Sequence, residues 1–402
     1  MSDWSTTTIG ESCTTFSGGT PSTSRPEYYG GDIPWITSGD LNQGRIRGVN
    51  GRITPIGLER SSAKLIKAGT PLLALYGATA GVAAMPLIDG AINQAVLALI
   101  PRRSDKEFLY QWLSINRESI IGKYTQGGQP NLSGAVVRSI EIPLPPLREQ
   151  QRIAEALRDA DDLIATLERL ITKKQAIKQG LMQQLLTGKT RLPGFEGSWT
   201  EATWGELAET ISSGATPRRS RSDYWGGDIP WVTSTELNRD VIRKVPQTIT
   251  EDGLRAANLT VWPVGTFLMA ITGLEAAGTR GNCGILGVQA AANQSCMAVV
   301  PNKRLDSAFL YHYYLLRGDE LAFRFTQGTK QQSYTAAIVK TLPIRVPDCG
   351  EQRAISAVIG DAGAEIAALH AHLDKARNMK VGMMQELLTG RTRLPDGDGG
   401  VV

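Results

Sequence analysis

The segment from Glu149 to Pro193 returns, without insertion or deletion, from Glu351 to Pro395. A chain carrying one long stretch twice is constrained to fold as two copies of a unit, and here the repeated stretch has helical spacing. In the first copy Ile153, Leu157, Ala160, Ile164, Leu167, Ile171, Leu181 and Leu185 recur at steps of three and four, interrupted at Lys174 and Lys178. That is the seam of a coiled coil. The second copy keeps the seam with Ile355, Ile359, Ala362, Ile366, Leu369, Leu373, Ala376, Met383 and Leu387. Both copies stop at Leu-Leu-Thr-Gly, where Gly188 and Gly390 can take the left-handed cap, and Pro193 and Pro395 bar renewal of the helix. At roughly 1.5 Å per residue, about 38 residues make a rod of about 57 Å, which needs a partner along its length. Gly180 and Gly382 stand at equivalent mid-helix positions despite a cost of about 1 kcal/mol against alanine. Close approach of another helix is the expectation there, with a tolerated surface glycine as the alternative.

Outside the rods the two halves still match with a drifting offset. Thr20 to Asn42 is echoed by Thr216 to Asn238, Asn93-Gln94 by Asn293-Gln294, Phe108-Leu109-Tyr110 by Phe309-Leu310-Tyr311, and Thr125-Gln126-Gly127 by Thr326-Gln327-Gly328. Short apolar runs broken by Gly and Pro, at Ile33, Pro71 and Ile92 and their counterparts, read as strands. Helices are expected over Lys106 to Ile121 and Ser307 to Phe323. The predicted fold class is α+β: two globular mixed α/β domains separated by two long helices that form an antiparallel coiled coil. The antiparallel sense follows from a pseudo-twofold between repeats, which reverses one rod against the other.

Catalytic signals fail on inspection. Gly188-Lys189-Thr190 resembles the tail of a phosphate-binding loop, but Gln183 stands where that motif needs glycine, and the segment closes a helix instead of opening one. No Asn or Asp precedes a Pro-Pro-Tyr or Pro-Pro-Phe, as a base-amino methyltransferase requires, because Pro145-Pro146 is flanked by leucines. Pro347-Asp348 with Glu351 is a weak nuclease echo in which Arg353 replaces the lysine. Of the three histidines, His312, His370 and His372, the last two lie on different helix faces, so no metal site is expected. Cys13, Cys283, Cys296 and Cys349 are too scattered for a zinc site or a disulfide framework. With 41% hydrophobic and 20% charged residues, and no basic start or apolar run in Met1 to Thr8, the expectation is a cytoplasmic protein with no membrane partner.

What remains is recognition. A formal charge of +4 permits a nucleic-acid partner without demanding one. Arg25, Arg45, Arg47 and Arg52 cluster in the first half; Arg218, Arg219 and Arg221, then Arg239, Arg243 and Lys244, cluster in the second, near Tyr28, Tyr29, Tyr224 and Trp225. Such groups suit phosphate contacts, although a solvated surface is the plainer reading. Arginines shared by both halves, Arg25 with Arg221 and Arg47 with Arg243, are candidates for sequence-blind contacts. Positions that differ, Ser22 against Arg218, Gln43 against Arg239 and Gly48 against Lys244, are candidates for reading bases. The loop Gly77-Ala78-Thr79 is lengthened to Gly273 through Thr279, with Arg280 following, which makes Ala78, Thr79, Thr279 and Arg280 further DNA-binding candidates, with drift in loop length as the alternative. Asn93-Gln94 and Asn293-Gln294 sit in apolar runs and are expected to be buried structural amides, with base contacts as the alternative.

The chain resembles the specificity (S) subunit of Type I restriction-modification systems. The resemblance rests on Gly19-Thr20-Pro21 and Ala215-Thr216-Pro217, Ile33-Pro34-Trp35 and Ile229-Pro230-Trp231, the paired Asn-Gln, and Ile142 to Leu147 leading into Glu149-Gln150. It continues through Gln183 to Leu186 and Thr190 to Pro193, and the second copy lacks the double proline at Leu342 to Pro347. It implies target-recognition domains over 1–147 and 194–349, helical spacers over 148–193 and 350–395, and a C-terminal tail over 396–402. It also implies no catalysis and no cofactor in this chain. Double-stranded DNA, two modification subunits with S-adenosylmethionine, and restriction subunits with ATP and Mg would be the partners. A self-contained DNA methyltransferase and a coiled-coil DNA-binding scaffold or repressor are the alternatives.

Overall fold

In the computed structural model, residues 4–124, 130–274, 280–326 and 333–394 are described, so Thr279, Pro395 and the expected Thr125-Gln126-Gly127 and Gln327-Gly328 correspondences lie outside them. The repeated segment forms two helices of 39 residues, Leu147–Leu185 and Cys349–Leu387. Each ends as its sequence demands. Gly188 and Gly390 take φ of 68° and 70°, and the Gly188 N–H donates to the Leu185 carbonyl at 3.2 Å.

The chain divides into two compact units, Met1–Glu168 with Ala371–Val402, and Arg169–His370, so each contains half of each long helix. In the first unit Glu149 pairs with Arg393, Asp161 with Lys380 and Glu168 with Arg377. In the second, Lys174 pairs with Glu365 and Arg191 with Glu351. In both units partner numbers fall on one helix as they rise on the other, so the pairing is antiparallel.

The seam is most deeply buried towards the helix ends and mostly half-buried along its middle. Ile153 and Leu157 are buried with Leu387 in the first unit, and Leu185 with Ile355 and Ile359 in the second; Ile171 and Leu373 are buried too. Ile164, Leu167, Leu181, Ile366, Leu369 and Met383 are half-buried. Met182, Leu186, Met384 and Leu388, outside the predicted seam, are also buried, because the helix ends pack on a lobe as well as on each other. The expected close approach at Gly180 and Gly382 is not found, since a Cβ at either would meet nothing within 4 Å. The second long helix is long and apolar enough to cross a membrane by length and composition alone. Its ion pairs to the first helix account for it as a coiled-coil strand.

The five-stranded sheets of the two lobes match strand for strand, whereas Lys64–Ile66, which adds a fourth strand to the first lobe's smaller sheet, is reduced to a single bridge, Trp262 to Ala290, in the second. The first has a five-stranded sheet ordered Cys13–Ser17, Val96–Pro101, Leu72–Ala74, Ala83–Pro86 and Arg45–Ile46; the second repeats it with Ala208–Ser213, Cys296–Pro301, Phe267–Ala270, Cys283–Leu286 and Asp240–Ile242. In each only the last pairing is parallel. A smaller sheet centres on Tyr29–Ile36 or Trp225–Val232, each paired in parallel with the strand that leads into the Asn-Gln pair. The strand Ser5–Thr8 pairs with Glu141–Leu144, and Thr200–Thr203 with Pro343–Val346, which closes each lobe before its long helix. The expected helix from Lys106 is broken at Asn116 into Lys106–Ile115 and Arg117–Tyr124, whereas its counterpart runs unbroken over Ser307–Phe325.

Candidate nucleic-acid interface

The second lobe gathers its basic loop around two tryptophans. The segment after Thr216-Pro217 sets Arg218 and Arg219 against the central strand of the small sheet, where Trp225 and Trp231 meet edge to face at 5.1 Å, and Arg221 over the Tyr224 ring at 4.8 Å. The Arg219 guanidinium lies 4.0 Å from the Trp225 ring centre and 5.1 Å from that of Trp231, and it donates to Gln247 Oε1 at 3.0 Å. Stacking and a fixed acceptor hold its planar fork in one orientation, which a freely rotating surface arginine lacks. Trp225 Nε1 donates to the Arg218 carbonyl at 3.3 Å, and the Arg218 side chain is exposed. Arg221 makes a two-bond fork to Asp223 at 2.6 and 2.8 Å, and that carboxylate raises the arginine's pKa further.

The first lobe has the same frame with fewer cations. Tyr29 and Trp35 replace the tryptophan pair at 5.9 Å, and Thr23 stands where Arg219 does. Arg25 is exposed with Glu27 at 3.6 Å, and Arg52 donates to the Asp32 carbonyl at 3.0 Å. Arg47, Arg243 and Lys244 are exposed with no partner among the described residues. Arg45 stands apart from this group. It is half-buried, bonded to Glu107 at 2.6 Å and Asp161 at 3.0 Å, and lies over the Tyr110 ring. Burial disfavours its charge, but the two carboxylates outweigh that and raise its pKa.

The divergent loops are braced differently. Ala78 is exposed; its carbonyl accepts from Arg117 Nη2 at 2.8 Å, and the Ala80 carbonyl accepts from Arg117 Nε at 3.1 Å. The Thr79 hydroxyl donates to the Tyr76 carbonyl at 3.2 Å. In the second lobe Gly318 replaces Arg117, and the brace comes from the loop itself: Arg280 Nε donates to the Leu274 carbonyl at 2.8 Å. Arg239, at a φ of 60°, donates to the Arg280 carbonyl at 2.5 Å and meets Asp319 at 3.2 Å.

The Asn-Gln pairs correct the sequence reading in part. Asn93 and Asn293 turn inward and accept from the backbone N–H of Ala95 at 3.1 Å and Ser295 at 3.0 Å. Gln94 and Gln294 are exposed, because the strands end at Ile92 and Ala292 and each glutamine stands in the turn that the preceding Asn side chain closes. Their doubling was the only sequence signal for them, and it did not tell inward from outward. Gln247 carried no sequence signal. Among the described residues no group of three or more His, Cys, Asp or Glu side chains could hold a metal ion.

Comparison with known proteins gives a consistent picture. A family model described as the Type I restriction modification DNA specificity domain matches residues 1–179 and again 196–375. The MjaVIII specificity subunit of a Type I restriction enzyme from Methanocaldococcus jannaschii is 24% identical, over 98% of this chain and 93% of its own length. The MjaIX specificity subunit of the same organism is 36% identical over 40% of this chain and 39% of its own length. The crystal structure of a Type I restriction-modification S subunit from M. genitalium shares the fold with a TM-score of 0.63 at 15% identity, covering 98% of this chain and 97% of that one.

Proposed function

The chain belongs to the Type I restriction-modification DNA specificity family, and we propose that it reads an asymmetric, two-part DNA target for a complex whose chemistry lies in other subunits. The family match to both halves carries this reading. It makes each lobe a DNA-reading module, and the two lobes carry different side chains on one frame. Identical lobes would favour an inverted repeat; lobes that differ at Thr23 and Arg219, and at Gln43 and Arg239, favour two unlike half-sites.

Modification subunits carrying S-adenosylmethionine, and restriction subunits using ATP and Mg, are the proposed partners, in the cytoplasm where the DNA is. Leu163, Leu170 and Ile177 are exposed at seven-residue intervals on the first long helix, and offer a modification subunit an apolar stripe. The equivalent positions on the second are Glu365, His372 and Met379, so two copies of that partner would dock in unequal surroundings.

The test is to assemble the chain with its modification subunits and map methylated bases on a mixed-sequence DNA pool. The expected product is one bipartite motif with unlike halves. Methyl transfer by the isolated chain would instead support the self-contained methyltransferase. DNA binding with no modification subunit ever associating would support the scaffold or repressor.

A further inference from the structure

In both lobes the exposed glutamine is held by the same partner in the same sense. Thr20 Oγ1 donates to Gln94 Oε1, and Thr216 Oγ1 donates to Gln294 Oε1. The threonine is placed by an unusually close backbone seat. A Cβ on Gly18 would fall 1.7 Å from the Ile92 carbonyl oxygen, and one on Gly214 1.8 Å from that of Ala292, so only glycine allows the loop to lie there. The seat is stitched by Gly19 N–H to the Ile92 carbonyl at 3.2 Å, and by Ala215 N–H to the Ala292 carbonyl at 3.1 Å.

With its oxygen occupied by a hydroxyl, each amide must turn its NH2 outward, and among the described residues neither nitrogen has a partner. The surroundings are those of the recognition surface. Tyr76 donates to the Gln94 carbonyl at 3.1 Å, Tyr29 to the Pro21 carbonyl at 2.5 Å, and Trp231 Nε1 to the Ala215 carbonyl at 3.0 Å. The same short loop therefore positions the glutamine in both lobes and, in the second, Arg219.

A base contact should vary between lobes that read different sequences, whereas a backbone contact should not. The glutamine, its threonine and the glycine seat are identical in both lobes, while Tyr76 and Thr23 are replaced by Thr272 and Arg219. We propose that Gln94 and Gln294 each donate their side-chain amide to a DNA phosphate oxygen, setting the register in which each lobe's variable side chains meet the bases. This rests on the DNA-reading function proposed above.

The assay is fluorescence anisotropy of the full chain assembled with its modification subunits, using a duplex with the mapped target and an unrelated duplex of equal length. Gln94→Ala and Gln294→Ala should each weaken binding to both duplexes about 10- to 100-fold, as loss of one hydrogen bond to a charged acceptor does. The slope of affinity against salt should not change, because a neutral donor releases no counterion. Gln94→Glu and Gln294→Glu should weaken it further, by placing a carboxylate against phosphate. Thermal unfolding should stay at the parent's temperature, since both side chains are exposed. Parent-like binding by the Ala and Glu variants, alongside weakened binding by Arg219→Ala, would overturn the glutamine assignment and leave the function standing. Loss confined to the target duplex, with altered base preference, would overturn the phosphate assignment. A parent complex that ignores both duplexes would remove both readings.

Discussion

The two lobes share every strand pairing in their five-stranded sheets, yet they are fastened to their long helices by opposite means. In the first unit Asp161 accepts from Gln111 at 2.9 Å, Arg45 at 3.0 Å and Lys380 at 2.6 Å, and Arg45 also holds Glu107. That network ties a strand and a helix of the lobe to both long helices. The equivalent residues of the second unit are Gly363, His312, Val241, Lys178 and Ala308. Lys178 keeps its place, with Nζ 3.0 Å from where a Gly363 Cβ would stand, but the carboxylate it would answer is missing. His312 is 7% exposed, and among the described residues its Nδ1 has no hydrogen-bond partner. One frame thus carries an electrostatic clamp on one side and an apolar joint with a neutral imidazole on the other. A duplicated fold preserves backbone register and hydrophobic contacts, while polar joints inside it are free to diverge.

The largest effect that would break this contrast is at Asp161. Removing one member of this half-buried charge network strands the others, so Asp161→Ala should destabilise the first unit by about 3 kcal/mol or slightly more, the lower end of the cost in a fully buried network. Hydrogen exchange over Lys106–Ile115 should accelerate, with the equivalent Ser307–Phe325 helix unchanged. Equal acceleration in both helices would mean the clamp is not local.

The next effect is a pH response of the second unit alone. Burial, aided by Lys178 and opposed by Asp306, lowers the His312 pKa from 6.5 to about 4. The unfolded chain therefore binds the proton first as pH falls, and stability present above about 6.5 is lost towards 4, by about 3 kcal/mol. In the first unit burial would raise the Asp161 pKa, but Lys380, Gln111 and Arg45 outweigh it and hold the carboxyl below its usual 3.8. Its contribution is lost only at lower pH, as the folded pKa is crossed. Hydrogen exchange followed from pH 7 to 4.5 should show opening of the second lobe only. His312→Gln, which installs the residue found at 111, should flatten that response.

The smallest effect sharpens the comparison by adding part of the missing clamp. Gly363→Asp should let a carboxylate meet Lys178 and remove a helical glycine, and raise stability by about 0.5–1 kcal/mol in a denaturant titration. A loss would show that the second joint has no room for the charge.

What was legible in the sequence follows the same division. Helix ends, seam and repeat were readable because the cap glycines Gly188 and Gly390 and the three-four spacing act locally. The burial of Met182 and Met384 was not, because it depends on a lobe packing against the helix end. Arg45 read as one more cation of a basic cluster, and only the fold places it against Glu107 and Asp161, which are distant in the chain. Arg218, Arg219 and Arg221 were visible as a run, but the ring stack that orients Arg219 needs Trp231 and Gln247 brought in by the small sheet.

The central claim is that two lobes with one frame read two different half-sites, and Arg219 is the place to test it. The measurement is base-resolved binding of the complex carrying Arg219→Ala to a duplex library degenerate across the mapped target. The account predicts that preference relaxes in one half of the target while the other half keeps its parent preference base for base. Equal relaxation in both halves, or none in either, would contradict it.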